Sequence, residues 1–207
     1  MNIILENQRS VSAANADTAV FARVIREAGV KNFLDMGTGT GYIAIYLAKH
    51  GIPVAACDLS AAAVDLARKN VRRNGVTVPV YQSDMFSNLK GTFESVGFNV
   101  PFSLGCKAFL PEGLKAALRR VSWINDYLVW HIPPAILAQR ETMISRFLRE
   151  SVPFLDKSGR IFLLLYRPEI EFVAREGSRF GFEFSPREAV ELGPRNMVVA
   201  QLRRGTQ

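Results

Sequence analysis

The residues with the clearest chemical meaning lie together in Phe33-Leu34-Asp35-Met36-Gly37-Thr38-Gly39-Thr40-Gly41. An apolar run ends in an acid, three glycines follow at alternate positions, and a helical pattern begins at Tyr42. This is the order of a strand, a tight loop and a helix N-terminus. Glycines let the backbone turn sharply and let a ligand lie against bare main chain, and the helix start adds unpaired N–H groups. A nucleotide-like cofactor suits such a surface. The loop reads Gly-x-Gly-x-Gly, not the Gly-x-Gly-x-x-Gly of dinucleotide folds, and it lacks the Gly-Lys-Ser/Thr ending of a triphosphate cradle. A carboxylate at Asp35 would repel a pyrophosphate but attract a cationic amino-acid group.

Further polar residues fall at the ends of later apolar runs. Asp58 closes Pro53–Cys57, roughly 20 residues past the glycine loop, where doubly wound folds hold a ribose diol. Asp84 and Met85 follow a third run, Thr77–Tyr81. Three acids at three successive strand ends do not build a core, and Asp84 reads as an acceptor for an adenine amine. After a fourth run, Glu94–Phe98, comes Asn99-Val100-Pro101-Phe102. Asn99 offers an amide oxygen and Val100 a carbonyl, each able to accept from an amino group. Pro101 stiffens the turn, and Phe102 gives a flat face for a planar substrate.

The elements that must position these residues follow from caps and periodicity. Asn15-Ala16-Asp17-Thr18 predicts a helix start, with Ala19–Ala28 helical and Gly29 the stop. Ser60 predicts the N-cap of a helix through Asn74, ended by Gly75. Strand, helix, strand, helix, strand implies parallel pairing with right-handed crossovers, and ligands beyond the carboxyl ends of the strands. Further on, Arg140 to Val152 reads as a helix, Arg160–Tyr166 as a strand, and Pro168-Glu169 as the start of a helix reaching Arg179. Phe180–Phe184 and Met197–Leu202 form a terminal strand pair bridged by Gly193-Pro194. Met1–Ser10 is either an edge strand or an arm.

The chain has 207 residues, 48% of them hydrophobic, enough for one domain over 1–207 with a full core. Lys+Arg 26 against Asp+Glu 19 gives a net charge of +7, which favours acidic partners such as RNA. Cys57 and Cys106 show no CxxC spacing and neither His50 nor His131 is paired with them, so no metal site is expected. Cys57 belongs to the core. No leader or long apolar span is legible, and the expectation is a cytoplasmic protein without a membrane segment.

Asp35 with the Gly-x-Gly-x-Gly loop and Asp58 resembles the class I S-adenosylmethionine-dependent methyltransferases. The resemblance implies an α/β, Rossmann-like fold: a seven-stranded, mostly parallel sheet in the order 3-2-1-4-5-7-6, with helices on both faces and an antiparallel seventh strand. It implies S-adenosyl-L-methionine as cofactor, held by Asp35, Gly37, Thr38, Gly39, Gly41, Asp58, Leu59, Asp84, Met85 and Asn99. The Asn99-Val100-Pro101-Phe102 segment resembles the Asn-Pro-Pro-Tyr/Phe motif of the short HemK-like N-methyltransferases, with Val100 in place of the first proline. That implies methyl transfer to a planar nitrogen, a protein glutamine amide or a nucleobase amine, with Asn99, Val100, Pro101 and Phe102 catalytic. It also implies an activating subunit for some relatives.

The likeness fails over Ser103–Gln139, where the family's Gly-Gly-x-Asp-Gly-like signature is replaced by Val129-Trp130-His131-Ile132-Pro133-Pro134. This segment reads as a substrate-side insertion whose basic and aromatic residues form an RNA or peptide surface, a lid over a small molecule, or a helix packed on the core. His131 is a candidate general base, though a lone histidine is more often structural. Two other functions stand beside the first: a small-metabolite methyltransferase with 103–139 as its lid, and a catalytically inactive cofactor-binding subunit serving RNA or a scaffold.

Overall fold

The computed structural model describes residues 2–101, 134–184, 190–192 and 197–205. Helix α1 (Ala16–Glu27) opens with the predicted cap: the Asn15 side chain accepts from Thr18 N while the Thr18 hydroxyl accepts from Asn15 N. Strand β1 (Phe33–Met36) leads through the glycine loop into α2 (Tyr42–Lys49). Strand β2 (Val54–Asp58) is followed by α3 (Ala61–Arg73), capped by the Ser60 hydroxyl. Strands β3 (Val80–Gln82) and β4 (Phe93–Asn99) are joined by turns, not by a helix. Phe86 and Leu89 of that connection fill the core in place of a helix.

After residue 133 come α4 (Pro134–Ser151), β5 (Leu155–Tyr166), α5 (Ile170–Arg179), β6 (Phe182–Phe184), β7 (Val190–Leu192) and β8 (Met197–Arg204). Several expected boundaries change, and β3 starts at Val80 instead of Thr77. Pro134–Gln139, read from sequence as the end of an insertion, is the first part of α4. Strand β5 begins five residues early because its pairing with β4 skips between Leu155 and Arg160, a bulge at Ser158-Gly159 that absorbs the turn signal. The rest of the expected insertion, with Phe102, His131 and both tryptophans, lies outside the described residues, as does Gly193-Pro194.

The sheet runs β3-β2-β1-β4-β5-β8-β6, and the short β7 pairs with the end of β8 that β6 leaves open. Apart from β7, this is the expected order 3-2-1-4-5-7-6, with the penultimate place taken by β8. Strands β1 to β5 are parallel, and β8 is antiparallel to β5. One face of the sheet packs Phe21, Ile45, Val64 and their neighbours from α1, α2 and α3. The other packs Ile144, Phe147, Leu148 and Val173 from α4 and α5. With both faces covered, the carboxyl ends of β1 to β5 are free to build a site.

Candidate active site

The site is built outward from β1. Its partner residues in register are Met36 with Cys57 of β2 on one side and Phe98 of β4 on the other. The residues that follow those three positions, Gly37, Asp58 and Asn99, therefore emerge side by side at one rim. Gly37, Gly39 and Gly41 all take the left-handed conformation, at φ +66°, +53° and +82°. A Cβ on Gly37 would sit 3.0 Å from the Phe98 ring, and one on Gly41 3.3 Å from Ala67. The loop is thus folded as tightly as its neighbours allow, with bare backbone turned to the cleft.

Asp58 is half-buried and fixed by two backbone donors. Gly39 N donates to its Oδ2 at 3.0 Å and Ser60 N to its Oδ1 at 2.9 Å. A carboxylate has about four acceptor sites, so two remain for hydroxyl groups in the cleft. Leu59 beside it is 62% exposed, an apolar side chain presented at the mouth. Met85 is the only described non-glycine residue at positive φ (+48°), and both line the same wall. Two apolar faces flanking an acid suit a flat aromatic base with a polar edge.

Asp35 has another place. It is 1% exposed and does not line the cleft. Its carboxylate accepts from Thr38 Oγ1 at 2.6 Å and from the Ala44 N–H, bracing the loop from behind. Burial pushes its pKa up to about 7 against the pull of those two hydrogen bonds. The expectation that Asp35 itself seats an ammonium group is corrected to support of the loop, because the strand end carries it into the core. Gly41 likewise stays out of the cleft and starts α2. Thr38, itself buried, lines it.

Asp84 lines the cleft, and its Oδ1 accepts from Arg146 Nη1 of α4 at 2.9 Å. That bond and a second to Glu150 hold the Arg146 guanidinium firmly protonated. The remaining oxygen of Asp84 is available to a ligand amine. Asn99 at the end of β4, with Val100 and Pro101 just beyond it, continues the wall. The Val100 and Pro101 carbonyls accept from Arg140 Nη1 at 2.7 and 2.9 Å. Arg140 is 2% exposed and pairs bidentately with the buried Glu169, at 2.6 and 2.9 Å, with its guanidinium 4.7 Å over the Tyr166 ring. One lone pair of the Val100 carbonyl is therefore already used.

Sequence reading missed two contributors. The arm over residues 10–15 forms part of the cleft wall, and so does one face of α4: Gln139, Thr142, Met143 and Arg146. Their spacing is the 3-and-4 rhythm of a helix face, a signal hidden by placing the helix start at Arg140. The cleft they enclose holds about 1130 Å³, ample for a nucleoside with an amino-acid tail and part of a second substrate.

The fold is shared widely, and the sequence places it more narrowly. The model of the methyltransferase small domain family matches residues 4–117, more than half of the chain. The chain belongs to that family. It is 38% identical over 73 residues to a Methanocaldococcus jannaschii protein provisionally named a protein N5-glutamine methyltransferase, a match covering 35% of this chain and 37% of that protein. It is also 38% identical over 94 residues to ribosomal RNA small subunit methyltransferase C of Escherichia coli, covering 43% and 27%. The chain thus spans well under half the length of either relative. Among solved structures, a Thermus thermophilus 16S rRNA guanine-N2 methyltransferase in complex with S-adenosylmethionine and guanosine superposes with a TM-score of 0.64 at 17% identity, over 95% of this chain and 45% of that one. That likeness establishes the Rossmann-like methyltransferase fold. Among the described residues, no helix is long and apolar enough to cross a membrane.

Proposed function

We propose that this protein is an S-adenosylmethionine-dependent methyltransferase that modifies a planar nitrogen, a nucleobase amine or a protein glutamine amide. The observation that carries the reading is the shared rim: Gly37, Asp58 and Asn99 emerge side by side because β1 registers with both β2 and β4. The donor set fits the cofactor. Asp58 has free acceptor sites for a ribose diol, Leu59 and Met85 flank the place for adenine, and Asp84 keeps an oxygen for its amine. The glycine loop leaves room that any side chain would fill.

When bound, S-adenosylmethionine supplies a methyl group activated by its sulfonium. The work left to the chain is alignment. Asn99 Oδ1 accepts one N–H of the acceptor, and the second lone pair of the Val100 carbonyl accepts another. Together they hold the nitrogen with its lone pair facing the glycine loop. Arg140 keeps that carbonyl from turning away. Thr38 shapes the loop under the amino-acid end, with Asp35 behind it. Pro101 leads on to Phe102 and to the segment that follows, whose basic and aromatic residues would select the acceptor.

The net charge of +7 and the kinship with ribosomal RNA and protein methyltransferases favour a macromolecular acceptor in the cytoplasm. Tritium-labelled cofactor should transfer its label either to glutamine-bearing release-factor peptides or to small-subunit rRNA. In Asn99→Ala the transfer should fall about a hundredfold while cofactor affinity stays within about twofold. Normal transfer by that variant would remove Asn99 from the mechanism.

A further inference from the structure

The arm that precedes α1 is held by two asparagines four residues apart, Asn70 in the last turn of α3 and Asn74 at its C-cap. Asn74 accepts from Ile4 N at 3.0 Å and donates to Ile4 O at 2.7 Å. Asn70 accepts from Glu6 N at 2.7 Å and donates to Glu6 O at 3.1 Å. Each side-chain amide thus takes both polar groups of one arm residue, as a neighbouring strand would. The spacing fits because one helical turn rises about 5.4 Å and two extended residues about 6.6 Å. Glu6 also meets Arg73 at 3.3 Å, and Ile3 and Leu5 pack on the core.

Asn70 does more than hold the arm. It is fully buried, and the same Nδ2 donates to the carbonyl of Thr40 at 2.9 Å, inside the glycine loop. From Glu6 the arm turns, Val11 N donating to Gln8 O, and runs over residues 10–15 along the cleft. There Ser12 O and the Val11 side chain lie 3.8 Å from where a Cβ on Gly39 would be. One amide therefore ties together the loop that faces the cofactor and the arm that walls it from the other side.

We propose that Asn70 is a positioning residue for the cofactor site, coupling the docking of the arm on α3 to cofactor binding in the glycine loop. This rests on the functional reading above. A cofactor that needs the arm in place must stabilise the arm by the same factor as the arm stabilises it. Asn74 holds the arm and, among the described residues, has no side-chain bond to the glycine loop; its Nδ2 otherwise donates only to the Asn70 backbone carbonyl, at 2.8 Å. It separates coupling from direct contact.

The test combines calorimetric titration of S-adenosylhomocysteine with hydrogen exchange over residues 2–15, on wild type, Asn74→Ala and Asn70→Asp. The second variant keeps the acceptor oxygen and removes both donors. In wild type the ligand should slow exchange at Ile4 and Glu6. Asn74→Ala should speed that exchange and weaken ligand binding about tenfold, and Asn70→Asp should weaken it further. If Asn74→Ala frees the arm and affinity does not change, the coupling is wrong and the cofactor reading survives. If neither variant frees the arm, the asparagines are not what holds it, and the proposal falls. If wild type binds no ligand, the functional reading fails and takes the coupling with it.

Discussion

Arg140 Nη1 donates to the carbonyl of Val100 at 2.7 Å, while its other nitrogens grip the buried carboxylate of Glu169. A fully desolvated ion pair is costly to bury, and here it braces the Val100-Pro101 turn directly after Asn99, the last residue of β4. Removing one partner strands the other. Arg140→Ala or Glu169→Gln should each cost roughly 3–5 kcal/mol, and Arg140→Met with Glu169→Leu together much less than their sum. Urea denaturation of the three variants checks this. A loss below about 1 kcal/mol in Glu169→Gln would mean that the pair is relaxed by water.

Gly37 meets two constraints at once, a left-handed backbone and the Phe98 ring 3.0 Å from any added Cβ. Gly37→Ala should cost at least about 1–2 kcal/mol from the backbone alone, and should also weaken cofactor binding severely. Gly91→Ala is the control: its φ is +84° with nothing within 4 Å. It should melt lower to a comparable extent and bind normally.

Asp35 gives the protein a pH dependence of definite sign. Its folded pKa is about 7, raised by burial from 3.8. Between those values the folded state keeps a proton that the unfolded state has lost. Stability from this group is therefore complete below about pH 4, declines as pH rises through about 7, and is level above. Asp35→Asn removes the effect. Relative to wild type, it should gain on the order of 2–4 kcal/mol between about pH 4 and pH 8, read from urea midpoints at both. A constant difference would show that Asp35 ionises freely in the fold.

Cys57 lies in β2, buried, with its thiol pushed up to about 12 by burial and then by the neighbouring Asp35. A thiol so protonated is a poor nucleophile. Iodoacetamide at about pH 8 should leave Cys57 unmodified in the native protein and label it fully in urea, as peptide mapping would show. Rapid native labelling would mean that β2 opens.

Much of the fold could be read because its signals are local. Asn15 and Ser60 cap their helices as side-chain chemistry dictates, and Gly29 and Gly75 end them at positive φ. Asp58, Asp84 and Asn99 line the cleft because a strand end has few other uses for them. What escaped notice joins residues far apart. Nothing near Arg140 announces Glu169, and nothing near Glu6 announces Asn70, since both bonds exist only after the sheet has formed. Asp35 was misplaced by one step of the same kind: its position at the strand end was legible, but the side of the loop it faces is set by packing. Ser158-Gly159 looked like a turn before a strand and proved to be a bulge within one, because pairing to β4 outweighs a turn signal.

The most direct measurement is calorimetric titration with S-adenosylmethionine on wild type and Asp58→Ala. Asp58 holds Gly39 N at 3.0 Å and has acceptor sites left for the ribose, so wild type should bind one equivalent and the variant should lose at least about tenfold in affinity. No binding by wild type, or equal binding by both, would contradict the assignment of this cleft to that cofactor.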